Sequence, residues 1–227
     1  MYVSTNDYKG NISLVIPTNG CNLKCGFCHN KELAGDTKPL KLIKIKDMIL
    51  KNLDFIDSIT VTGGEPLLHS GQLSELFQFA KKKGLKIKLD TNGSYPGHLK
   101  NLIKYIDYLA LDVKTKKNKY GELTGSHIYP KVLKSLGIGN NSPNTFVECR
   151  TTYSSHYMSS NDLKLIAKDI KCDLFTLQQF RNRNTLNSNF QEIPNTTHDE
   201  LLEVAKQIKP YFKNLEIRSA EFGIEKI

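Results

Sequence analysis

Three cysteines lie close together near the start of the chain, at Cys21, Cys25 and Cys28. Three thiolates on so short a loop can bind three irons of a cubane iron–sulfur cluster, and the fourth iron then needs a ligand from elsewhere. Such an iron can bind a substrate or cofactor through nitrogen and oxygen, whereas a cluster held by four cysteines would only pass electrons. The spacing therefore favours an iron–sulfur site that takes part in chemistry.

A structural zinc site is the alternative, with His29 as its fourth ligand. Adjacent Cys28 and His29 would have difficulty reaching one tetrahedral centre, and zinc sites usually present two separated pairs of ligands. The other two cysteines, Cys149 and Cys172, are too far apart in sequence to form a second ligand loop, and packing within strands is the favoured interpretation for them. An odd count of five cysteines argues against a disulfide framework.

Composition and charge limit the classes of protein to which this chain can belong. The 227 residues include 32 Lys or Arg and 23 Asp or Glu, which gives a formal net charge of +9. No apolar run approaches the roughly 20 residues of a membrane helix, and the polar first residues lack a secretory h-region. The lysines are scattered and no recognised motif interleaves them, which disfavours nucleic acid as a partner. We expect one domain, 1–227, in the cytoplasm, without membrane contact.

Short apolar segments alternate with helical stretches along the whole chain, and this βαβα order predicts a parallel sheet. The predicted strands are 12–16, 58–62, 85–90, 107–113, 145–152, 173–179 and 214–218. The predicted helices are 42–53, 71–83, 96–106, 129–136, 161–170 and 198–209.

The predicted strands are polar at every second residue, unlike those of an ordinary doubly wound sheet, which are apolar on both faces. The polar positions include Ser13, Ser58, Thr60, Thr62, Lys86, Lys88, Asp90, Asp112, Lys114, Glu148, Arg150 and Thr152. A curled sheet with a polar lumen satisfies all of them, while an antiparallel sheet with one face in water is the alternative. The predicted fold class is α/β: a single-domain partial (β/α)6 barrel of parallel strands with an extra C-terminal helix and strand. Chemistry in such a barrel belongs at the carboxyl ends of the strands.

Two motifs resemble a known superfamily. The cysteine loop carries Phe27 before its last cysteine, and Gly63-Gly64-Glu65-Pro66 follows the second predicted strand. Together they are similar to the signatures of the radical S-adenosylmethionine (SAM) enzymes. This resemblance implies one [4Fe-4S] cluster on the three cysteines, with the methionyl amine and carboxylate of SAM on the fourth iron. Gly63 and Gly64 would let backbone approach the methionyl ammonium closely, and Glu65 would add a compensating carboxylate or orient the loop.

A narrower resemblance is to the glycyl-radical-enzyme activases, and especially to the activating proteins of anaerobic ribonucleoside-triphosphate reductase. It rests on 28–30 (Cys-His-Asn), 89–93 (Leu-Asp-Thr-Asn-Gly), 111–114 (Leu-Asp-Val-Lys), 150–152 (Arg-Thr-Thr) and 177–181 (Leu-Gln-Gln-Phe-Arg). In that family the strand-end Asp and Lys residues surround the methionyl carboxylate, with a monovalent cation nearby. The residues implied for cofactor binding are therefore Phe27, Gly63, Gly64, Glu65, Asp90, Asn92, Asp112, Lys114 and Arg150, with a cation near Asp90 and Asp112.

Each of these residues also has an interpretation without a cofactor. Asp90 could cap the following turn, Asp112 and Lys114 could form an internal ion pair, and Arg150 could pair with Glu148 or another lumen carboxylate. Four such charges in a closed lumen would nevertheless be costly without a charged ligand, which favours cofactor roles. The chain also departs from some activases, because it has no insert with extra cysteines. It has Phe180 where some carry a His near the adenosyl moiety.

The resemblance implies that reductive cleavage of SAM gives a 5′-deoxyadenosyl radical, which removes hydrogen from a glycine of the partner enzyme. The implied partners are a glycyl-radical enzyme, of the anaerobic ribonucleotide reductase type, and a flavodoxin or ferredoxin electron donor. Lysine runs at 81–83 and at Lys116, Lys117 and Lys119 could steer an acidic donor or could be a solvated surface. Two alternatives stay open: a radical SAM enzyme acting on a small molecule, such as a deazapurine-forming synthase, and a non-catalytic metal-binding module.

Overall fold

The strands form one sheet in which spatial order follows sequence order. The computed structural model describes residues 1–34 and 40–227, and within these the order is β1 to β9 without interruption. The strands are β1 Tyr2–Ser4, β2 Ser13–Thr18, β3 Ser58–Gly63, β4 Lys86–Thr91, β5 Tyr108–Asp112, β6 Phe146–Tyr153, β7 Leu174–Gln179, β8 Leu215–Ser219 and β9 Gly223–Lys226.

Seven of these strands, β2 to β8, are parallel and correspond to the seven predicted ones. Two short antiparallel strands were not predicted, β1 beside β2 and β9 beside β8. Their three and four residues are too few to show a periodicity. β2 also continues through Pro17, beyond the predicted end, because β1 covers only 13–15 and leaves the Pro17 nitrogen without a strand to bond on that side.

Helices join the parallel strands, as the sequence pattern predicts for the six longer ones. The α-helices are α1 Lys31–Ala34, α2 Leu42–Lys51, α3 Ser70–Lys82, α4 Pro96–Leu102, α5 Tyr120–Thr124, α6 Tyr129–Asn140, α7 Ser160–Asp169 and α8 His198–Ile208. Short 3-10 segments lie at Pro66–His69, Ile103–Tyr105, Lys117–Lys119, Ser188–Gln191 and Lys209–Tyr211. The four- and five-residue helices α1 and α5 were not predicted. In the described ranges, no helix is long and apolar enough to cross a membrane.

The two faces of the sheet differ, as the alternation predicts. Apolar strand residues such as Ile59, Leu89 and Leu111 are fully buried and pack in two hydrophobic clusters with the helices. The opposite face carries buried polar residues, including Thr60, Lys88, Glu148, Arg150 and Thr176. The sheet therefore curls around a polar lumen, and it stays open between β1 and β9, the two ends of the strand order.

Candidate functional site

A cavity of about 480 Å³ lies at the carboxyl ends of the parallel strands, a volume within the usual range for small-ligand sites. It brings together residues that are up to about 200 positions apart in sequence. Those in its wall include Cys21, Cys25, Phe27, Cys28, Gly63, Gly64, Asp90, Asn92, Asp112, Lys114 and Arg150. Of the predicted site residues, Glu65 does not line it.

The cysteine loop leaves β2 and is fastened on both sides. The amide nitrogens of Leu186 and Asn187 donate to the carbonyl oxygens of Cys28 and Gly26 at 2.9 and 3.1 Å. On the other side the Asn92 side-chain amide lies 3.8 Å from Cys21 Sγ and donates to the Asn22 side chain at 3.1 Å. The loop is therefore held to the end of β4 and to the segment after β7, with its three thiols facing one cavity.

Burial raises the pKa of Cys25 to about 12 and also raises that of Cys21. These thiols would ionise at neutral pH only when a positive charge such as iron is bound to them. The described residues contain no group of three or more His, Cys, Asp or Glu side chains placed to bind one metal ion. A cubane cluster does not require such a group, because each of its thiolates binds a different iron.

Phe27 is buried beside this loop and packs within an aromatic cluster. Its ring stacks on Tyr157 at 5.7 Å between centroids, and Lys114 Nζ lies 5.7 Å from its centroid. Phe180 belongs to the same cluster and meets Tyr157 edge-on at 5.7 Å. Phe180 is fully buried and does not line the cavity. At that strand end the cavity is lined by Gln178 and Gln179, and Phe180 points into the aromatic cluster.

Gly63 and Gly64 are required by contacts within the protein. Gly63 has a φ of +113°, and a Cβ there would lie 2.5 Å from the Thr18 backbone. A Cβ on Gly64 would lie 2.0 Å from the Gly20 carbonyl oxygen. The sequence argument explained both glycines by close approach to a ligand, whereas the structure shows close approach to the chain that leads into the cysteine loop. The two motifs are thus packed directly against each other.

Glu65 holds the loop after β3 to the end of β4. Its carboxylate is fully buried and accepts hydrogen bonds from Leu67 N at 3.0 Å, Thr91 Oγ1 at 2.7 Å and Asn92 N at 2.8 Å. Burial raises the pKa of Glu65 to about 7, although these three donors oppose the shift. Of the two roles expected for Glu65, orienting the loop is the one that its contacts fit, and it joins the ends of β3 and β4.

The remaining predicted residues form one alternating chain of charges in the lumen. Arg150 Nε donates to Asp112 at 2.8 Å and Arg150 Nη1 donates to Asp90 at 3.0 Å. Lys114 Nζ binds the other oxygen of Asp112 at 2.8 Å, and Lys88 Nζ lies 3.2 Å from the other oxygen of Asp90. The internal ion pairs left open in the sequence analysis are therefore present. The four predicted charges compensate one another without a ligand, which corrects the expectation that they need one.

The carboxylates of this ion chain stay ionised. Burial raises the pKa of Asp90, but Arg150 and Lys88 outweigh it and bring the net value to about 2. Burial likewise opposes ionisation of Asp112, and Arg150 and Lys114 lower its pKa below the ordinary value. The buried carboxylate of Glu148 also acts on Arg150, so three cations face three carboxylates in this part of the lumen. Lys88 was not a predicted site residue, although its place on the polar face beside Asp90 was visible in the alternation.

Comparisons with protein families and with individual proteins show what this chain is similar to. The family described as the Radical SAM superfamily matches residues 15–142. A Methanocaldococcus jannaschii protein, named as a proposed glycyl-radical enzyme activating enzyme, is 38% identical over 96% of this chain and 93% of its own length. The pyruvate formate-lyase-activating enzyme of Staphylococcus aureus is 32% identical over 49% of this chain and 50% of its own.

Solved structures show the fold alone, because they are less than 25% identical. Streptococcus suis SuiB bound to S-adenosylmethionine superposes with a TM-score of 0.69 at 18% identity, covering 91% of this chain and 50% of its own. The methylornithine synthase PylB gives a TM-score of 0.64 at 17% identity, over 88% of this chain and 63% of its own. The chain thus spans about half the length of SuiB. With an open parallel sheet, three thiols on the loop after β2 and a family match over more than half its length, the chain belongs to the radical SAM superfamily.

Proposed function

We propose that this protein is a glycyl-radical-enzyme activase whose partner is an anaerobic ribonucleotide reductase. The observation that carries the proposal is the meeting of three thiols from one loop with the Gly63–Gly64 strand end at a single cavity. The similarity to the M. jannaschii protein over almost the whole chain supports the activase class. The choice of reductase as partner rests on the sequence motifs from Cys28 to Arg181.

Membership of the superfamily implies a [4Fe-4S] cluster and SAM, and the residues present fit both. Cys21, Cys25 and Cys28 would hold the cluster. Among the cations of the ion chain, Lys114 is the best placed to bind a methionyl carboxylate, because its side chain is 19% exposed beside Phe27. When bound, and given one electron by an external donor, the two groups would supply methionine and a 5′-deoxyadenosyl radical able to take a hydrogen atom from a glycine of the partner.

The proposed monovalent cation near Asp90 and Asp112 would have to compete with Arg150, Lys88 and Lys114, which already bind these carboxylates. The lumen charges themselves would orient SAM. Tyr157 and Phe190 pack against Phe27 of the loop, and Phe190 also packs against Gly26. None of these residues has to act as a general base in the proposed reaction.

The open side of the sheet supports a macromolecular substrate. The strand order ends at β1 and β9, so a loop of a partner protein could enter the lumen between them without breaking a strand pair. A second cavity, of about 450 Å³, adjoins the first and shares His29, Asn30, Thr62 and Gly63 with it. Tyr2 of β1 lines this second cavity, which therefore extends toward the open side.

A flavodoxin or ferredoxin is the proposed electron donor. The lysines at 81–83 are poorly placed to attract such a donor. They lie where α3 ends and the chain enters the amino end of β4, whereas the cysteine loop lies at the carboxyl ends of the strands. Lys116 and Lys119 follow β5 on the cluster side, but both pair with Asp162, at 2.5 and 3.0 Å. Lys24 within the cysteine loop and Lys31 just after it are exposed, and we assign donor steering to these two lysines. The five cysteines are free thiols, in keeping with the proposed cytoplasmic location.

Anaerobic reconstitution tests the chemistry of the proposal. After treatment with iron and sulfide, the purified protein should hold about four irons and, once reduced with dithionite, should release 5′-deoxyadenosine from SAM. A colourless protein that holds one zinc ion would contradict the radical chemistry. Formation of 5′-deoxyadenosine only on addition of a small-molecule substrate, and never with a glycyl-radical enzyme, would favour the small-molecule alternative.

A further inference from the structure

The connection between β7 and α8 is a compact Ω-loop, residues 181–195. Its two ends are held together, because Thr196 N donates to Phe180 O at 3.2 Å and Asn182 N donates to the Asn195 side chain at 2.8 Å. Apart from the 3-10 turn Ser188–Gln191, the Ω-loop has no regular secondary structure. An ordered connection of this length in a compact domain usually has a function. The sequence analysis assigned no role to residues 182–195.

Hydrogen bonds within the Ω-loop give it a defined conformation. The Asn182 side-chain amide donates to Gln191 O at 3.2 Å, which joins the two halves of the loop. The buried Thr185 hydroxyl donates to Asn187 O at 2.9 Å, and Asn189 N donates to the Asn187 side chain at 3.0 Å. The Ω-loop can therefore present a fixed surface to its neighbour.

That neighbour is the cysteine loop. The amides of residues 186–187 donate to the carbonyl oxygens of Cys28 and Gly26, as described above. A third hydrogen bond joins the same two segments, because His29 Nε2 donates to Arg181 O at 2.5 Å. All three bonds end on backbone carbonyl oxygens, so the residue types alone did not reveal them.

Phe190 occupies the space that a side chain at position 26 would need. A Cβ on Gly26 would lie 2.3 Å from the Phe190 ring. Gly26 has a negative φ, so this contact, and not backbone conformation, explains the glycine. The half-buried Phe190 ring also packs on Phe27 and Tyr157, with centroids 6.4 and 5.8 Å away. The Ω-loop and the cysteine loop are thus matched in shape as well as in hydrogen bonding.

A fixed cysteine loop favours cluster binding. Three thiolates must reach three irons of one cluster, and a flexible loop would lose conformational entropy when it binds them. A loop that already has the bound conformation avoids this loss.

We propose that the Ω-loop is a clamp that holds the cysteine loop in its cluster-binding conformation before iron arrives, with Phe190 as its positioning residue. The inference concerns how the cluster site of this superfamily member is built. It therefore does not depend on which protein is the partner.

Loss of iron to a chelator tests the role of Phe190. The reconstituted proteins are mixed anaerobically with excess bathophenanthroline disulfonate, and the rate at which the coloured iron complex forms is measured. Phe190→Ala should lose iron about tenfold faster than the wild type, the usual scale for residues that support metal ligands. Phe190→Leu, which keeps apolar bulk, should be intermediate. Phe55→Ala changes a phenylalanine that is 72% exposed and outside the cavity, and it should keep the wild-type rate.

A double variant separates direct contact from general destabilisation. Gly26→Ala alone should also lose iron about tenfold faster, because its Cβ meets the Phe190 ring. In Gly26→Ala/Phe190→Ala the ring is gone, so the double variant should be no faster than Phe190→Ala. Independent effects that multiply to about a hundredfold would contradict the proposed contact. Equal rates in the wild type and Phe190→Ala would overturn the role of Phe190.

Hydrogen–deuterium exchange of the apoprotein tests whether the clamp forms before iron binds. Peptides that cover 182–195 should be protected in the wild type and should exchange at least about tenfold faster in Phe190→Ala, while peptides from β5 keep the wild-type rate. Protection that develops only after reconstitution would overturn the proposal. Because this measurement needs neither iron nor a partner, failure of the clamp and failure of the proposed activase function are distinguishable.

Discussion

Each thiol of the cysteine loop would bind a different iron, so loss of one thiol should be enough to lose the cluster. We expect Cys25→Ala to lower the iron content after reconstitution from about four per chain to below one, and 5′-deoxyadenosine formation to background. The measurements are iron and sulfide analysis and chromatography of the nucleoside products.

Cys172→Ala is the matched control for this change. Cys172 is a half-buried free thiol that packs against the hydrophobic core outside the cavity. The Cys172→Ala protein should keep the iron content and the nucleoside product of the wild type. A Cys25→Ala protein that still cleaves SAM would refute the ligand assignment.

The ion chain in the lumen depends on Arg150, which bonds to both carboxylates. Arg150→Gln should lower the free energy of unfolding by about 3–5 kcal/mol, because it leaves buried charges without their main partner. Lys46→Gln removes an ion pair with Glu75, whose side chain is 64% exposed, and should cost less than about 1 kcal/mol. Urea unfolding of the two apoprotein variants measures both losses of free energy. If the loss in Arg150→Gln is as small as that in Lys46→Gln, the lumen charges are well solvated.

The same ion chain predicts a pH dependence. The pKa of Asp90 is about 2 in the folded protein, below its ordinary value of 3.8. Its contribution to stability is therefore complete above about pH 4 and is lost as the pH falls toward 2. The difference in unfolding free energy between wild type and Arg150→Gln should shrink from pH 5 to pH 3 in urea titrations. A difference that stays constant over this range would show that Asp90 is not held ionised by Arg150.

At the scale of elements, the loops after β2 and β3 are fitted to each other through Gly64. Gly64→Ala would place a Cβ 2.0 Å from the Gly20 carbonyl oxygen, so backbone must move. We expect a loss of about 1–3 kcal/mol in unfolding free energy, as for other overpacked sites, together with weaker SAM binding.

Gly71→Ala offers the matched comparison, since Gly71 lies in α3 and a Cβ there meets no atom within 4 Å. The free energy of unfolding of the Gly71→Ala protein should rise by about 0.5–1 kcal/mol, because alanine is the better helix former. If both variants behave alike, the close approach at Gly64 does not constrain the loop.

Strand periodicity predicts much of this fold and less of its site. Alternation places Asp90, Asp112 and Arg150 on one face correctly, because side chains of a strand alternate strictly. It does not say which charges meet across the lumen, since that depends on the curl of the sheet and on strand register. Glu65 shows the same limit: the motif places it just after a strand, but only the folded packing shows that its carboxylate is used by Leu67, Thr91 and Asn92.

For the whole molecule, the open side between β1 and β9 matters most. The two edge strands are too short to be predicted from periodicity, yet they bound the opening through which a partner loop would enter. A partner encoded beside this chain in its genome is the natural one to test.

The most direct test of the central claim is an electron paramagnetic resonance spectrum of that partner. The reconstituted, reduced protein is mixed anaerobically with SAM and an anaerobic ribonucleotide reductase from the same genome. We expect a glycyl-radical signal on the reductase that requires SAM and is absent with Cys25→Ala. Formation of 5′-deoxyadenosine without any glycyl radical on the reductase would contradict the account.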